Sequence, residues 1–558
     1  MASYPVRNDS RIVLHLDYDC FYASVFEVEQ PILKTLPLAV QQKQIVVTCN
    51  YEARRRGLHK LQLIRDAKRI CPDVVIVLGE DLTKFRNASK DLYLFVKDFV
   101  WGGRVEKLGF DELSLDVTEM IDYNVGVLNP HDLPSSFFHL DRTDPTVGFA
   151  YDAARFEGQT DPPSPEGCGS ASSLGLSSLE VRLRIASHLA GYLRAQLEHV
   201  KGYTATGGIS TSKLLAKLVG NLHKPNSQTT LLPPYEATEN NSQGNVIQFL
   251  DAHEIRKIPG IGSRLAQKLK DHVAGDDATD DKVTVKDVRL FPGMGPVLLE
   301  KILRGPGAPR GIGMRMWNIL HGVDSAEVLE ARDLPTQISI EDSYGRLDSL
   351  DSVRRELAIL AKSLIRRMRT DLLDKTDPTT PLGRWLAHPR TLRLSTRPRL
   401  PPDSDTGRTY SASRISRSTP LPPFVFALDE NIDGLAERLV QEAVLPVFRK
   451  LHPDKAGWAL SLMNIAVTNL VESAGDQKQS SGRDIGKMFR QQESRAVPGS
   501  RTPPVLVDPR GAANDLLDAW DAWEETDEPL PGRMCPRCEA RIPDFAWQAH
   551  EMYHSSVD

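Results

Sequence analysis

Arg11-Ile-Val-Leu-His-Leu-Asp17 is a short apolar run that ends in a carboxylate. Such a run predicts a buried strand that delivers Asp17 to a sheet edge. Asp19 follows two residues later. A second acidic pair, Asp111-Glu112, lies between Lys107-Leu-Gly-Phe-Asp111 and Glu112-Leu-Ser-Leu-Asp116, whose alternation reads as a hairpin. Two-metal phosphoryl transfer needs several carboxylates converging on cations about 4 Å apart, and hard oxygen ligands of this kind suit Mg²⁺. Taken singly, either acidic pair reads better as a strand end that caps or is solvated.

Outward from this stretch, Gln44-Ile-Val-Val-Thr48 and Val74-Val-Ile-Val-Leu78 read as further strands, with the helical stretch Leu61 to Ile70 between them. Asn124 to Ser178 is rich in Pro, Gly, Ser and Asp and reads as a long insertion or loop. Leu179 to His199 has helical periodicity, and Thr204 to Ile209 reads as a strand. Ile255 to Val273 has a helix–turn–helix rhythm around Ile258-Pro-Gly-Ile-Gly262, and Pro335 to Leu470 reads as a separate α+β domain.

The 558 residues suggest three or four domains, and 40% hydrophobic content is enough to build cores. No apolar run reaches the length of a membrane span, and Met1 to Arg11 has no apolar core of a secretory signal. Six cysteines are too few for a disulfide scaffold and fit a reducing compartment. The net charge of -5 conceals a split: Pro381 to Pro420 holds eight arginines against two aspartates, whereas Asp508 to Leu530 holds eight acids against Arg510 alone. This pattern reads as a polyanion-facing module followed by an acidic tail.

His15-Leu-Asp-Tyr-Asp-Cys-Phe-Tyr-Ala-Ser24, Asn50-Tyr-Glu-Ala-Arg54 and Gly208-Ile-Ser-Thr-Ser-Lys213-Leu-Leu-Ala-Lys217 resemble, in order and spacing, three signature motifs of the Y-family translesion DNA polymerases. Val40-Gln-Gln-Lys43, Val47-Thr-Cys-Asn-Tyr-Glu-Ala-Arg54 and Val105-Glu-Lys-Leu-Gly-Phe-Asp-Glu112, with Asp116 to Ile121 after it, resemble the iota branch of that family. The resemblance runs from about Arg11 to Leu470.

It implies a right-hand polymerase of mixed α/β and α+β architecture. The palm would be residues 1–20 and 84–245 (with the insertion 124–178), the fingers 21–83, the thumb 246–330 and the little finger 331–472. It further implies that Asp17, Asp111 and Glu112 hold two Mg²⁺ ions, which Mn²⁺ can replace, with the backbone carbonyl of Tyr18 completing one site and Asp19 accepting hydrogen bonds behind them. Tyr22 matches the steric gate against a 2′-hydroxyl. Tyr51, Arg54 and Lys213 match the triphosphate clamp, while Lys217 reads equally as a phosphate-facing or an exposed residue. Gln42, Lys43 and Ile45 match the roof over the template base, which in the iota branch turns a template purine syn; Ile45 stands where that branch carries leucine. Gly260 and Gly262 match a helix–hairpin–helix turn whose amides meet a DNA phosphate.

Beyond the polymerase region, residues 473–530 read as a disordered tail and 531–558 as a zinc finger. Cys535, Cys538, His550 and His554 follow C-x2-C-x11-H-x3-H, a ligand pattern for one structural Zn²⁺. The segment resembles the ubiquitin-binding finger of the family's eta branch, with Met552 where that branch carries aspartate. Ile485, Met488 and Phe489 have the spacing of a sliding-clamp-binding peptide, with Gly482 in place of its leading glutamine. Together these readings imply a nuclear DNA-directed DNA polymerase whose partners are primer-template DNA, deoxynucleoside triphosphates, and ubiquitin or a ubiquitinated clamp. A non-catalytic scaffold of the same fold, or a nucleotidyl cyclase, are the rival readings; the intact carboxylates and clamp stand against the first, the helix–hairpin–helix turn and little finger against the second.

Overall fold

The structure is a computed structural model that describes residues 5–163, 178–238, 243–274, 282–305, 308–330, 334–374, 383–399, 414–454 and 457–473, together with the strand backbones 532–534 and 541–543. The chain divides into two compact units, Met1–Ala331 and Arg332–Asp558.

Unit 1 begins with β1 (Val13–Tyr18), α1 (Phe21–Glu29), β2 (Leu38–Gln42), β3 (Ile45–Cys49), α2 (Tyr51–Arg55), α3 (Ile64–Ile70), β4 (Val75–Leu78) and α4 (Thr83–Lys97). It continues through β5 (Val105–Leu108), β6 (Glu112–Asp116), α5 (Thr118–Val127), β7 (Ser136–His139), β8 (Gly148–Tyr151), β9 (Gln159–Asp161), α6 (Ser178–Gln196), β10 (Ala205–Ser210), α7 (Lys213–Val219) and β11 (Gln228–Leu231). Five helices close it: α8 (Asn245–Asp251), α9 (Ser263–Ala274), α10 (Val285–Arg289), α11 (Pro296–Leu303) and α12 (Ile312–Leu320).

The main sheet has the order β5-β6-β1-β10-β11-β9. β1 lies between two antiparallel partners, β6 and β10, which explains its unbroken apolar run: Val13, Leu14 and Leu16 are all fully buried. Gly208 on β10 is the point where α7 meets the sheet. A Cβ there would stand 1.9 Å from the carbonyl oxygen of Ala216, so only glycine lets the helix close in.

A second sheet, β3-β2-β4, forms a small lobe over its own core of Ala39, Val46, Cys49, Ala53, Leu58, Ala67 and Cys71. The β2–β3 hairpin turns at Lys43, whose φ is +52°. Asn50 caps α2 by accepting the Ala53 amide, and its own amide donates to Glu27 and the Leu36 carbonyl.

As far as residue 163 the stretch Asn124 to Ser178 departs from its reading as a loop, and residues 164–177 lie outside the described residues. It completes α5, forms the hairpin β7–β8, and adds β9 to the edge of the main sheet beside β11. Its polar composition hides a pile of rings, Phe138 on Phe149 at 5.1 Å and Phe149 on Tyr192 at 4.4 Å, which fixes the hairpin against α6. The rhythm of Ile255 to Val273 is also only half helical. A single 3₁₀ turn, Ile255–Lys257, precedes the Pro-Gly-Ile-Gly turn, and α9 follows it. Gly260 takes φ +92° there.

After α12 the chain runs extended across unit 1. Arg11 donates to the carbonyls of Asp324 and Ala326, and the Asp324 carboxylate caps the Leu214 amide of α7. Val328 packs on Val13 and Ala216, and the Leu329 amide donates to Glu106.

Unit 2 holds β12 (Ile338–Leu347), α13 (Leu350–Asp371), the short pair β13 (Leu373–Asp374) and β14 (Arg384–Trp385), β15 (Ala387–Pro398), β16 (Ile415–Pro420), α14 (Ile432–Leu439), α15 (Leu445–Leu451) and β17 (Leu460–Glu472). Its sheet has the order β12-β17-β15-β16, antiparallel throughout. One face carries Leu392, Leu394, Met463, Ile465 and Val467, packed with Leu357, Leu364, Leu439 and Phe448 of the helices. The alternate residues, Arg393, Arg397, Asn464 and Glu341 among them, point to the other face. Near the C-terminus β18 (Gly532–Met534) pairs antiparallel with β19 (Arg541–Pro543).

Candidate active site

β1 and β6 bring two acids side by side, because Asp17 and Glu112 are register partners. Asp111 sits in the turn just before β6, and its carbonyl accepts the Tyr18 amide at 2.8 Å. Burial raises the pKa of Asp17, against the opposing pull of Lys224. Asp111 is pushed up to about 6, first by burial and then by the charges of Asp17 and Glu112. β1 and β6 are interior strands, so the acids stand at strand ends and not at a sheet edge; three carboxylates that repel one another there form a hard-oxygen donor set suited to divalent cations. Ligand atoms of Asp17, Glu112 and the neighbouring His15 lie within 4.8 Å of one another. Burial, then Lys217 and Lys224, lower the His15 pKa to about 3, so the imidazole stays neutral.

Asp19 is engaged differently. One carboxylate oxygen accepts the Thr206 hydroxyl and the other the Asn226 amide, both at 2.8 Å, and the residue is 3% exposed. It anchors the turn after α7. Asn226 closes that turn at φ +42°, a conformation its short polar side chain tolerates.

Lysines face the acids in a ladder along α7 and this turn. Lys213 pairs with Glu106 at 2.8 Å, Lys217 with Glu112, and Lys224 with Asp17 at 2.5 Å. The structure therefore does not bring Lys213 to the carboxylate cluster: it is one helical turn too early, and its ammonium is committed to a carboxylate whose side chain is 6% exposed. Lys217 and Lys224 stand at the cluster instead. The signal for Lys224 was its position in Lys224-Pro225-Asn226, a turn sequence directly after the motif helix. His15 and Glu106 were likewise missed: His15 is a lone polar residue in an apolar run, and Glu106 sits beside Lys107 in a strand of four residues, too short to show a period.

On the small lobe, Tyr51 opens α2 and the Arg54 guanidinium lies over its ring at 4.5 Å. Burial and the charge of Asp19 push Tyr51 up to about 12, so the phenol remains a donor. Arg55 and Arg56 pair with Glu52, and Arg56 also with Asp73, on the outer surface. Tyr22 is half-buried on α1 and stacks on Phe85 of α4 at 4.2 Å. The Gln42 amide donates to the Gly79 carbonyl at 2.6 Å, and Lys43 follows it at the hairpin tip.

Gly260 is partly buried and Gly262 exposed in their turn, and nothing stands within 4 Å of a Cβ added at Gly262. Cys535, Cys538, His550 and His554, and the clamp-peptide residues Ile485, Met488 and Phe489, lie outside the described residues. Among the described residues no helix is long and apolar enough to cross a membrane.

A model of the impB/mucB/samB family matches residues 16–221, and a model of that family's C-terminal domain matches residues 335–481. Together they span more than half of the chain, which belongs to this family, the Y-family polymerases. The chain is 32% identical to DNA polymerase iota of Homo sapiens over 464 residues, 83% of this chain and 52% of that protein. Identity to DNA polymerase iota of Drosophila melanogaster is 38% over 255 residues, 46% of this chain and 30% of that protein. DNA polymerase eta of Arabidopsis thaliana is 24% identical over 489 residues, 84% of this chain and 64% of that protein. The chain spans about half the length of the mammalian iota polymerases it matches.

Proposed function

We propose that the protein is a DNA-directed DNA polymerase that performs translesion synthesis by template-directed nucleotidyl transfer. The observation that carries this reading is the carboxylate cluster of Asp17, Asp111 and Glu112, faced by Lys217 and Lys224. The primer 3′-oxygen bonds to the α-phosphorus, the bridge to the β-phosphate breaks, pyrophosphate leaves, and the hydroxyl proton passes to water. Two Mg²⁺ ions held by Asp17, Asp111, Glu112 and the Tyr18 carbonyl would supply positive charge to both oxygens of the displacement.

The protein's own groups do the rest. Lys224 exchanges Asp17 for a triphosphate oxygen, and Lys217 exchanges Glu112 likewise, so nucleotide arrival frees the acids for cations. Arg54 and Tyr51 grip the triphosphate from the other side. Tyr22 lies under the sugar and excludes a 2′-hydroxyl, while Gln42 and Lys43 roof the template base. Gly260, Gly262 and the arginines of β15 and β16 hold DNA phosphates without reading sequence.

At the C-terminus, Cys535, Cys538, His550 and His554 hold one Zn²⁺, and the β18–β19 hairpin on either side of the two cysteines supports this assignment. The finger binds ubiquitin, and Ile485, Met488 and Phe489 bind a sliding clamp, which fits a nuclear enzyme recruited to stalled replication. Primer extension opposite each template base, with wild-type protein and Asp111→Ala, tests the central reading. Extension is expected from the wild type alone, and more accurately opposite adenine than thymine. Equal extension by the variant overturns the metal-site assignment.

A further inference from the structure

We propose that Phe85 is a positioning residue that couples sugar selection to template-base selection. The inference rests on the polymerase reading, with Tyr22 as gate and Gln42 as roof. Phe85 is fully buried on α4, between Tyr22 and the neighbourhood of Gly79. Its face stacks on the Tyr22 ring, with centroids 4.2 Å apart and planes 20° apart. Its tip, Cζ, lies 3.6 Å from where a Cβ of Gly79 would stand, and Val40 closes the same point to 2.4 Å. Gly79 is the residue whose carbonyl holds the Gln42 amide at 2.6 Å, and its own amide is bound to Gln41.

One rigid ring therefore stacks on the residue proposed to lie beneath the sugar and ends close to the backbone that holds the residue proposed to lie above the base. Phe26 packs edge-on against Phe85 at 5.9 Å and holds the ring from a third side. Four residues along the same helix face, the Ser89 hydroxyl donates to the Phe110 carbonyl just before Asp111. The helix that carries Phe85 is thereby keyed to the metal-binding turn, and the ring cannot shift without one of these contacts yielding. An aromatic stack constrains the tilt of its partner in a way that an aliphatic side chain of similar volume does not.

The experiment measures two ratios by single-nucleotide insertion: ribonucleotide against deoxyribonucleotide kcat/KM, and correct against incorrect insertion opposite adenine and thymine. In Phe85→Leu both ratios are expected to move, each by about 10-fold toward indifference, a change worth about 1.4 kcal/mol. Tyr22→Ala should move the sugar ratio alone and Gln42→Ala the base ratio alone, while Phe85→Tyr, which keeps the ring, should restore the sugar ratio. If Phe85→Leu lowers kcat or the melting temperature but leaves both ratios within about twofold of wild type, Phe85 is ordinary core and the coupling is overturned. If Tyr22→Ala leaves the sugar ratio unchanged, the gate reading itself fails, and the coupling with it.

Discussion

The two large sheets of this chain treat charge in opposite ways. On the unit 1 sheet, acids and lysines face each other one to one: Glu106 with Lys213, Glu112 with Lys217, Asp17 with Lys224, all with side chains less than a third exposed. Across the open face of the unit 2 sheet, Arg393 and Arg397 stand on one strand, and Arg414 reaches the Glu341 carboxylate from the opposite edge of the sheet. In the first region each charge has one partner and one position, so losing a single group leaves another buried and uncompensated. In the second, the proposed function has the arginines share one polyanion, so that their contributions add. On the proposed function, chemistry belongs to the first arrangement and non-sequence-specific grip to the second.

The sharpest way to break this comparison is to remove acids from the first region. Asp17→Ala, or Asp111→Ala with Glu112→Ala, should lower nucleotide addition by at least about 10³-fold. DNA affinity by anisotropy should stay near wild type. A parallel loss of DNA binding would mean the two regions are not separate in function.

A purely geometric change in the first region should come next in size. In Gly208→Ala the new Cβ meets the Ala216 carbonyl at 1.9 Å and the Gly220 amide at 2.6 Å, so α7 must move outward with Lys217. Urea unfolding should show a loss of about 1–3 kcal/mol, and extension should fall further than stability does. Activity that survives intact would show that the lysine ladder does not need this packing.

The effect of pH is smaller and has a definite sign. Asp111 is raised from 3.8 to about 6, so in metal-free protein its contribution to stability is present below its unfolded pKa and is lost as pH rises through about 6. Asp111→Asn, which mimics the protonated acid, should therefore stabilise chelated protein more at pH 8 than at pH 5, as read by its melting temperature. Saturating Mg²⁺ should reverse that advantage. A difference that does not depend on pH would remove the repulsion argued for the acidic cluster.

The smallest effect belongs to the second region. Arg397→Gln should weaken DNA binding a few-fold at any sequence and reduce the salt slope by about one ion. A large or sequence-dependent loss would make this face a specific reader instead.

Much of the first region was legible in the sequence, because burial writes itself as pattern. β1, the β5–β6 hairpin and α6 follow from unbroken or periodic apolar runs, and the acids that end the strands mark the site. The strands of residues 136–161 were not legible: they are three or four residues long, and ring stacking rather than alternation fixes them. The lysine ladder was half legible. Lys213 and Lys217 carry the motif, but which acid each meets depends on where α7 lands above Gly208, and Lys224 reaches Asp17 only through a turn that Asp19 and Asn226 hold. Sequence periodicity names the residues on a face; it does not state how far along the neighbouring strand that face is set down.

The extended segment after α12 has a mechanical consequence. Tension arriving along the chain from the C-terminal unit reaches the Leu329–Glu106 bond first, then Val328 seated on Val13 and Ala216, then the Arg11 clamp on Ala326 and Asp324. These contacts lie in series, so they would rupture one after another like a zip, and the last to carry load is the Asp324 cap on α7. Force would thus enter the main sheet first, at Glu106 of β5 and Val13 of β1, and reach the helix that bears Lys213 and Lys217 through Ala216 and finally the Asp324 cap, which makes this strap the fuse of unit 1.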